Sequence, residues 1–290
     1  MGEIADKIGS AYAYIMDDLS DFRTRDLPLM GRPGTLLLMV AAYLTFCIYL
    51  GPRLMKNRKA FHLQKVIKYY NIFQILMSLY LVSEGLQYMM NKNYNFVCDP
   101  VRETDDERVN RTARNGWWYF FAKITELIET VFFVLRKKNK QVSTLHLYHH
   151  SMVVTSAWIA TKYFPVGPIV LVGTLNSFVH VLMYTYYFLS GLGPQYQKYL
   201  WWKKHMTLIQ LIQFGIVIAH NGNALFYDCN YPKVVHMILI LNTGILTYMF
   251  GKFYYNSYVR VKPKKEENIK QKTKVTQNHL SKRKSISIGQ

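Results

Sequence analysis

Three imidazoles fall at His146, His149 and His150. Positions i, i+3 and i+4 share one face of an α-helix, so on a helix these three converge. Lys123, Glu126 and Glu129 recur every third residue and set an ammonium and two carboxylates along one side of another helix. Asn176, His180, Tyr184 and Tyr187 form a third stripe, with Met183 and Tyr186 beside it, and Thr207, Gln210 and Gln213 form a fourth. Taken singly, each has an ordinary explanation: a lone histidine is a structural donor, a Lys–Glu pair neutralises itself, tyrosines pack, and amides bond neighbouring helices. Three imidazoles on one face are hard to explain by packing. A neutral imidazole is a nucleophile, its neighbours move protons, a carboxylate fixes a tautomer, and an amide donates to developing negative charge.

The elements that must hold these groups are apolar helices. Half of the 290 residues are hydrophobic and 15% are aromatic. From Pro33 to Pro52, between Arg32 and Arg53, the chain carries no charge, over a length that an α-helix needs to cross a bilayer core. Hydropathy places further spans at Tyr69–Met90, Gly116–Leu135, Val142–Ala160, Tyr163–Tyr187, His205–His220 and Val234–Phe250. The expected fold is all-α, with about seven transmembrane helices. The third span holds Lys123, Glu126 and Glu129, and the fifth is interrupted by Pro165, Gly167 and Pro168. Polar groups inside such helices are costly in lipid and face a bundle interior or a water-filled cavity.

The net charge of +19 is distributed as a topology signal. The segments after spans one, three, five and seven sum to about +6, +4, +3 and +9, whereas residues 1–33, 91–115, the stretch around Lys162 and 221–233 sum to about −2, 0, +1 and 0. The N-terminus is therefore expected to be lumenal or extracellular and the C-terminus cytosolic. The basic charge faces lipid headgroups, and no nucleic-acid partner is needed to explain it. The chain divides into a lumenal segment (1–30), a membrane domain (31–255) and a basic tail (256–290) that should be disordered from Val261 onward. No cleavable signal peptide is expected, since the first span can serve for targeting. Cys98 and Cys229 both fall in loops on the oxidising side, so a disulfide between them is expected, the alternative being two unpaired lumenal thiols. Asn110-Arg111-Thr112 is a glycosylation sequon whose closeness to span three argues against its use.

His146-x-x-His149-His150, Lys123-x-x-Glu126-x-x-Glu129, Asn176-x-x-x-His180-x-x-Met183-Tyr184-x-Tyr186-Tyr187 and Thr207-x-x-Gln210-x-x-Gln213 closely resemble the motifs of the ELO/ELOVL fatty acid elongases, in their usual order. The resemblance covers about residues 30 to 255. The first motif usually ends in aspartate, where this chain has Glu129. The resemblance implies an endoplasmic-reticulum protein in which six of seven helices surround a narrow tunnel. It also implies the condensation of an acyl-CoA with malonyl-CoA to 3-oxoacyl-CoA, CO2 and CoA, with no metal or redox cofactor. It points to His149 as the nucleophile, forming an acyl-imidazole, because the spacing alone does not choose among the three.

On this reading His146, His150, His180 and Asn176 assist His149, Glu126 fixes an imidazole, and Lys123 balances its charge. Tyr184, Tyr187, Gln210 and Gln213 are expected to contact substrate. Arg136, Lys137, Lys203 and Lys204 lie where CoA phosphates must sit, and each serves equally as topology charge. Expected partners are the lipid bilayer and the 3-oxoacyl-CoA reductase, dehydratase and enoyl-CoA reductase of the cycle; a homo-oligomer is compatible with the sequence. Residence in the endoplasmic reticulum rests on the resemblance, because residues 285–290 carry no lysines three and four from the end. A di-iron oxygenase also uses a His-x-x-His-His motif but needs about eight histidine ligands, and no second such motif is present. A receptor would not need the interior histidines, and no inverted halves suggest a transporter.

Overall fold

The computed structural model describes residues 2–91, 94–97, 99, 106–228 and 231–260. Cys98 and Cys229, and with them the expected disulfide, lie outside the described residues, as does the tail from Val261. Every regular element among the described residues is helical. A short helix, α1 (Gly2–Ala13), precedes seven long ones: α2 (Gly34–Met55), α3 (Gln64–Met89), α4 (Glu107–Leu135), α5 (Thr144–Tyr163), α6 (Pro168–Gly191), α7 (Lys203–Ala224) and α8 (Lys233–Tyr254). The helices α2, α3, α6 and α8, the last continued through Val259, are long and apolar enough to cross a membrane. The other three are 29, 20 and 22 residues long and carry the histidine, charged and amide motifs. From Phe250 the chain forms a separate unit whose described part ends in a π-helical turn, Tyr255–Val259.

Local chemistry explains where the helices start and stop. Pro52 has no N–H and its ring crowds the carbonyl of Ile48. The wider π-helical turn Phe46–Leu50 absorbs this, and α2 runs on to Met55, past the expected end of the span. The helix α4 begins at Glu107, nine residues before the expected span, because the Asp106 side chain accepts from Arg108 N at 2.9 Å. That hydrogen bond holds the Asp106 carboxyl below its ordinary range. At about 1.5 Å per residue α4 exceeds a bilayer core, so its charged first turns project beyond it.

At its other end α4 closes in a Schellman turn: Lys138 N donates to Phe133 O at 2.8 Å and Lys137 N to Val134 O at 3.0 Å, with Lys137 at φ 55°. Ser143 then caps α5 by accepting from His146 N at 3.2 Å. The interruption expected in the fifth span is a full break, with α5 ending at Tyr163 and α6 starting at Pro168. Gly167 stands at φ 88°, and a Cβ there would come within 3.0 Å of Asp99 O and 3.1 Å of the Tyr231 ring.

The helices pack α3 against α6, α4 between α3 and α5, and α7 against α6. One apolar core joins Leu36, Phe120, Val154, Ala157 and Trp158, and a second joins Tyr43, Cys47, Leu127 and Val134. Residues 21–30 are strapped across the start of α4 and the end of α5. Thr24 Oγ1 donates to Thr161 O (2.7 Å), Lys162 Nζ to Met30 O (2.8 Å), Trp158 Nε1 to Leu29 O (2.8 Å) and Trp117 Nε1 to Pro28 O (2.7 Å).

The helices α3 and α6 approach closely at Gly85, where an added Cβ would overlap Thr174 Oγ1. Gly85→Ala should therefore lower thermal stability in detergent by about 1–3 kcal/mol, the usual cost of overpacking, and Thr174→Ala should recover part of the loss. A Gly85→Ala protein as stable as its parent would contradict this approach.

Candidate active site

Four helices bring the expected residues together. The α4 residues Lys123, Glu126 and Glu129 are all buried, the first two turned toward α6 and Glu129 toward α5. Lys123 Nζ donates to Glu126 Oε1 at 2.8 Å and to Asn176 Oδ1, on α6, at 2.7 Å. His180, one turn further along α6, holds its Nδ1 3.0 Å from the same Glu126 oxygen, within ion-pair range but outside hydrogen-bond geometry. Tyr119 donates its hydroxyl to Asn176 Oδ1 at 3.1 Å and lays its ring 4.8 Å from the Lys123 ammonium. Two donors on one oxygen fix the orientation of the Asn176 amide: Lys123 can only donate, so the atom it meets must be the carbonyl oxygen.

The α5 histidines divide. His146 Nε2 shares a hydrogen bond of 2.8 Å with Thr130 Oγ1, which is bonded in turn to the Tyr43 hydroxyl on α2 at 2.8 Å. His150 Nε2 lies 3.9 Å from Glu129 Oε2. His149 turns the other way. A cavity of about 410 Å³ is lined by residues from α3 through α8, and of the four clustered histidines only His149 is among them. Asn176, Tyr119 and Gln213 line it near His149, and side chains such as Met152, Val153, Ala157, Val170 and Phe214 give it apolar walls. Its far end reaches Glu84, Thr112 and Thr161, and the twelve residue steps of α5 from His149 to Thr161 correspond to about 18 Å of length.

The remaining expected residues fall around this centre. Tyr184 is fully buried and packs edge-on against Tyr187 at 5.9 Å and Tyr70 at 6.0 Å, outside the cavity wall. Gln210 Nε2 points at Met183 Sδ, 3.9 Å away. Arg136, Lys137, Lys203 and Lys204 do not line the cavity: the first two sit in the turn after α4, the others at the start of α7. Glu129, His146 and His150 place three donor atoms within 4.8 Å of one another, a set that could hold a cation.

The sequence reading missed Tyr119, Thr130 and Tyr43, which hold Asn176 and His146, and Tyr70 and Gln74, bonded to each other at 2.9 Å and both within reach of Thr125. Tyr119 and Thr130 carried a signal, one turn before Lys123 and one residue after Glu129. Tyr43, Tyr70 and Gln74 sit on helices with no motif.

The pattern of the GNS1/SUR4, or ELO, family matches residues 28–266. The chain belongs to the ELO family. A very long chain fatty acid elongase of Aedes aegypti is 41% identical over 263 residues, covering 90% of this chain and 73% of its own length. Very long chain fatty acid elongase 4 of Homo sapiens is 40% identical over 247 residues (85% and 78%), and human elongase 1 is 42% identical over 246 residues (84% and 88%). As an ELO protein with this helical architecture the chain is a multi-pass membrane protein.

Removing the Glu126 carboxylate alone leaves the Lys123 ammonium buried with only Asn176 and an aromatic face. Glu126→Ala should cost about 3–5 kcal/mol, read as loss of folded protein, as breaking a buried pair does. Replacing both, Lys123→Met with Glu126→Leu, should restore folding while activity stays lost. Recovery of activity in the double variant would make the pair merely structural.

Proposed function

We propose that this ELO protein condenses a long-chain acyl-CoA with malonyl-CoA to 3-oxoacyl-CoA, CO2 and CoA, with the acyl group carried on His149. Membership of the family makes it an acyltransferase of fatty acid elongation. The finer reading is supported above all by the position of His149, the one clustered histidine on the wall of a long apolar cavity. An acyl chain laid along that cavity sets its thioester carbon beside an imidazole.

In the first half-reaction an imidazole nitrogen of His149 attacks the thioester carbonyl, the C–S bond breaks and CoA leaves as the thiol. Because Asn176 Oδ1 is taken by Lys123 and Tyr119, its Nδ2 is the edge left to meet the oxyanion from the cavity wall. In the second, malonyl-CoA loses CO2, the electron pair freed at its α-carbon attacks the acyl carbon, the C–N bond to His149 breaks, and the imidazole takes one proton from solvent to regain its starting form. His180, facing Glu126, serves to polarise the malonyl thioester, while His146 and His150, backed by Thr130 and Glu129, position His149. Neither half-reaction is a net oxidation or reduction, so no redox cofactor is called on. Arg136, Lys137, Lys203 and Lys204 supply positive charge for the CoA phosphates at the end where His149 lies. That end faces the cytosol of the endoplasmic reticulum, the N-terminus is lumenal, and reductase and dehydratase partners take the product onward.

Incubating the protein with a long-chain acyl-CoA alone should release one equivalent of CoA and leave one acyl group on the peptide holding His146–His150. His149→Ala should abolish both the adduct and the condensation; undiminished condensation by that variant removes the assignment. Condensation should also persist in excess chelator. If chelation stops it and a divalent metal restores it, Glu129, His146 and His150 form a metal centre instead.

A further inference from the structure

A second space of about 350 Å³, partly open to the outside, lies beside the first near the start of α4, lined by Leu27, Pro28, Tyr80, Trp117 and Trp118 together with the half-exposed Arg111 and Arg114. The two cavities share one lining residue, Asn115. Its side chain is buried and held from both sides: Nδ2 donates to Glu84 Oε2 at 2.7 Å, and Oδ1 accepts from the Tyr80 hydroxyl at 2.8 Å. Glu84 lines the first cavity and Tyr80 the second, so this three-residue chain of hydrogen bonds crosses from one space to the other. Arg111 pairs with the remaining oxygen of Glu84 and fixes the partition further.

The first cavity ends at this partition, at the opposite end from His149. On the reading proposed above, each condensation lengthens the chain by two carbons while its reacting end stays at His149, so the free end advances toward Asn115. An alkyl terminus gains nothing from the amide and cannot displace it without breaking two buried hydrogen bonds. Beyond it, the indole, proline and leucine walls of the second space suit a methylene chain, and the Arg111 and Arg114 guanidiniums are turned to Glu84 and to Glu107 (2.5 Å).

We propose that Asn115 is the stop that sets the longest product, and that the cavity behind it is a reserve acyl subsite which the side chain of Asn115 keeps closed. The residue acts by filling the passage and takes no part in the chemistry at His149.

The inference rests on the elongase reading, so the test separates the two. Purified Asn115→Ala protein is given labelled malonyl-CoA with a short acyl-CoA, whose condensation rate reports the chemistry, and then with successively longer acyl-CoAs, whose product lengths report the stop. The expected result is a parental rate on the short substrate and a longest product extended by one or more two-carbon additions. Adding Leu27→Trp to Asn115→Ala fills the second space and should return the longest product to the parental length. Asn115→Ser, a milder cut, should shift product length in the same direction if the alanine variant folds poorly. Parental rates with an unchanged longest product in either variant overturn the proposal, as does a gain that Leu27→Trp fails to reverse. Absence of condensation by the parent protein on every acyl-CoA would instead defeat the elongase reading.

Discussion

The arrangement of this bundle depends on the charge pair between Lys123 and Glu126, set one turn apart on α4 and both buried. Charges taken out of water are tolerable only when every remaining valence meets a partner, and two residues on one helix cannot satisfy each other completely. The surplus is directed to α6: the ammonium takes Asn176 as well as Glu126, and the carboxylate faces His180. Since Asn176 and His180 are themselves one turn apart, the pair fixes the register of α6 against α4 as two teeth fix a rack. A slide of α6 by a single turn would put Val172 or His180, in place of Asn176, against the ammonium.

That register also separates polar from apolar space. On the face of α4 where the charges lie, α5 supplies imidazoles and α6 an amide; farther along the same helices, the walls between His149 and Glu84 present mostly apolar surface, with Val, Ile, Leu, Ala, Met and Phe side chains among them. A reacting head and a methylene chain need these two environments end to end. The turn at Lys137 contributes by backbone geometry alone. By closing α4 in a Schellman turn a few residues before Ser143 caps α5, it brings the Glu129–Thr130 stretch level with His146 and His150.

The long helices and the four polar motifs were legible in the sequence because lipid exacts its own pattern: uncharged runs of bilayer length, with polar groups only where they can turn inward. Helix ends were less legible. Capping by Asp106 and the relief of Pro52 by a π-helical turn are decided by one or two hydrogen bonds, and these moved α4 by nine residues and α2 by three. Least legible were the supporting residues on other helices. Tyr43 lies in an apolar run where it reads as one more large side chain, and only the packing of α2 on α4 shows that its hydroxyl continues a chain to His146. Sequence spacing reports neighbours within a helix, whereas Tyr43, Tyr70 and Gln74 act across helices.

The same limit explains why the spacing of the histidines could not name one of them. Positions i, i+3 and i+4 share a face, but that face is wide enough to meet two different neighbours. His146 and His150 have ring centroids 4.3 Å apart, tilted at 57°, and look onto α4, where Thr130 and Glu129 lie. His149 is rotated from them by about 100° relative to its immediate neighbour, as one step along a helix dictates, and that rotation carries it off α4 and onto the cavity wall. Glu129 belongs to the same argument. Its side chain is one methylene longer than the aspartate common in the family, yet its carboxylate stops 3.9 Å from His150, closer to a through-space partner than to a hydrogen-bonded one. A position that only has to stand a carboxyl group behind two imidazoles tolerates that extra length, whereas Glu126, with its carboxylate oxygen contacted by both Lys123 and His180, has no such latitude.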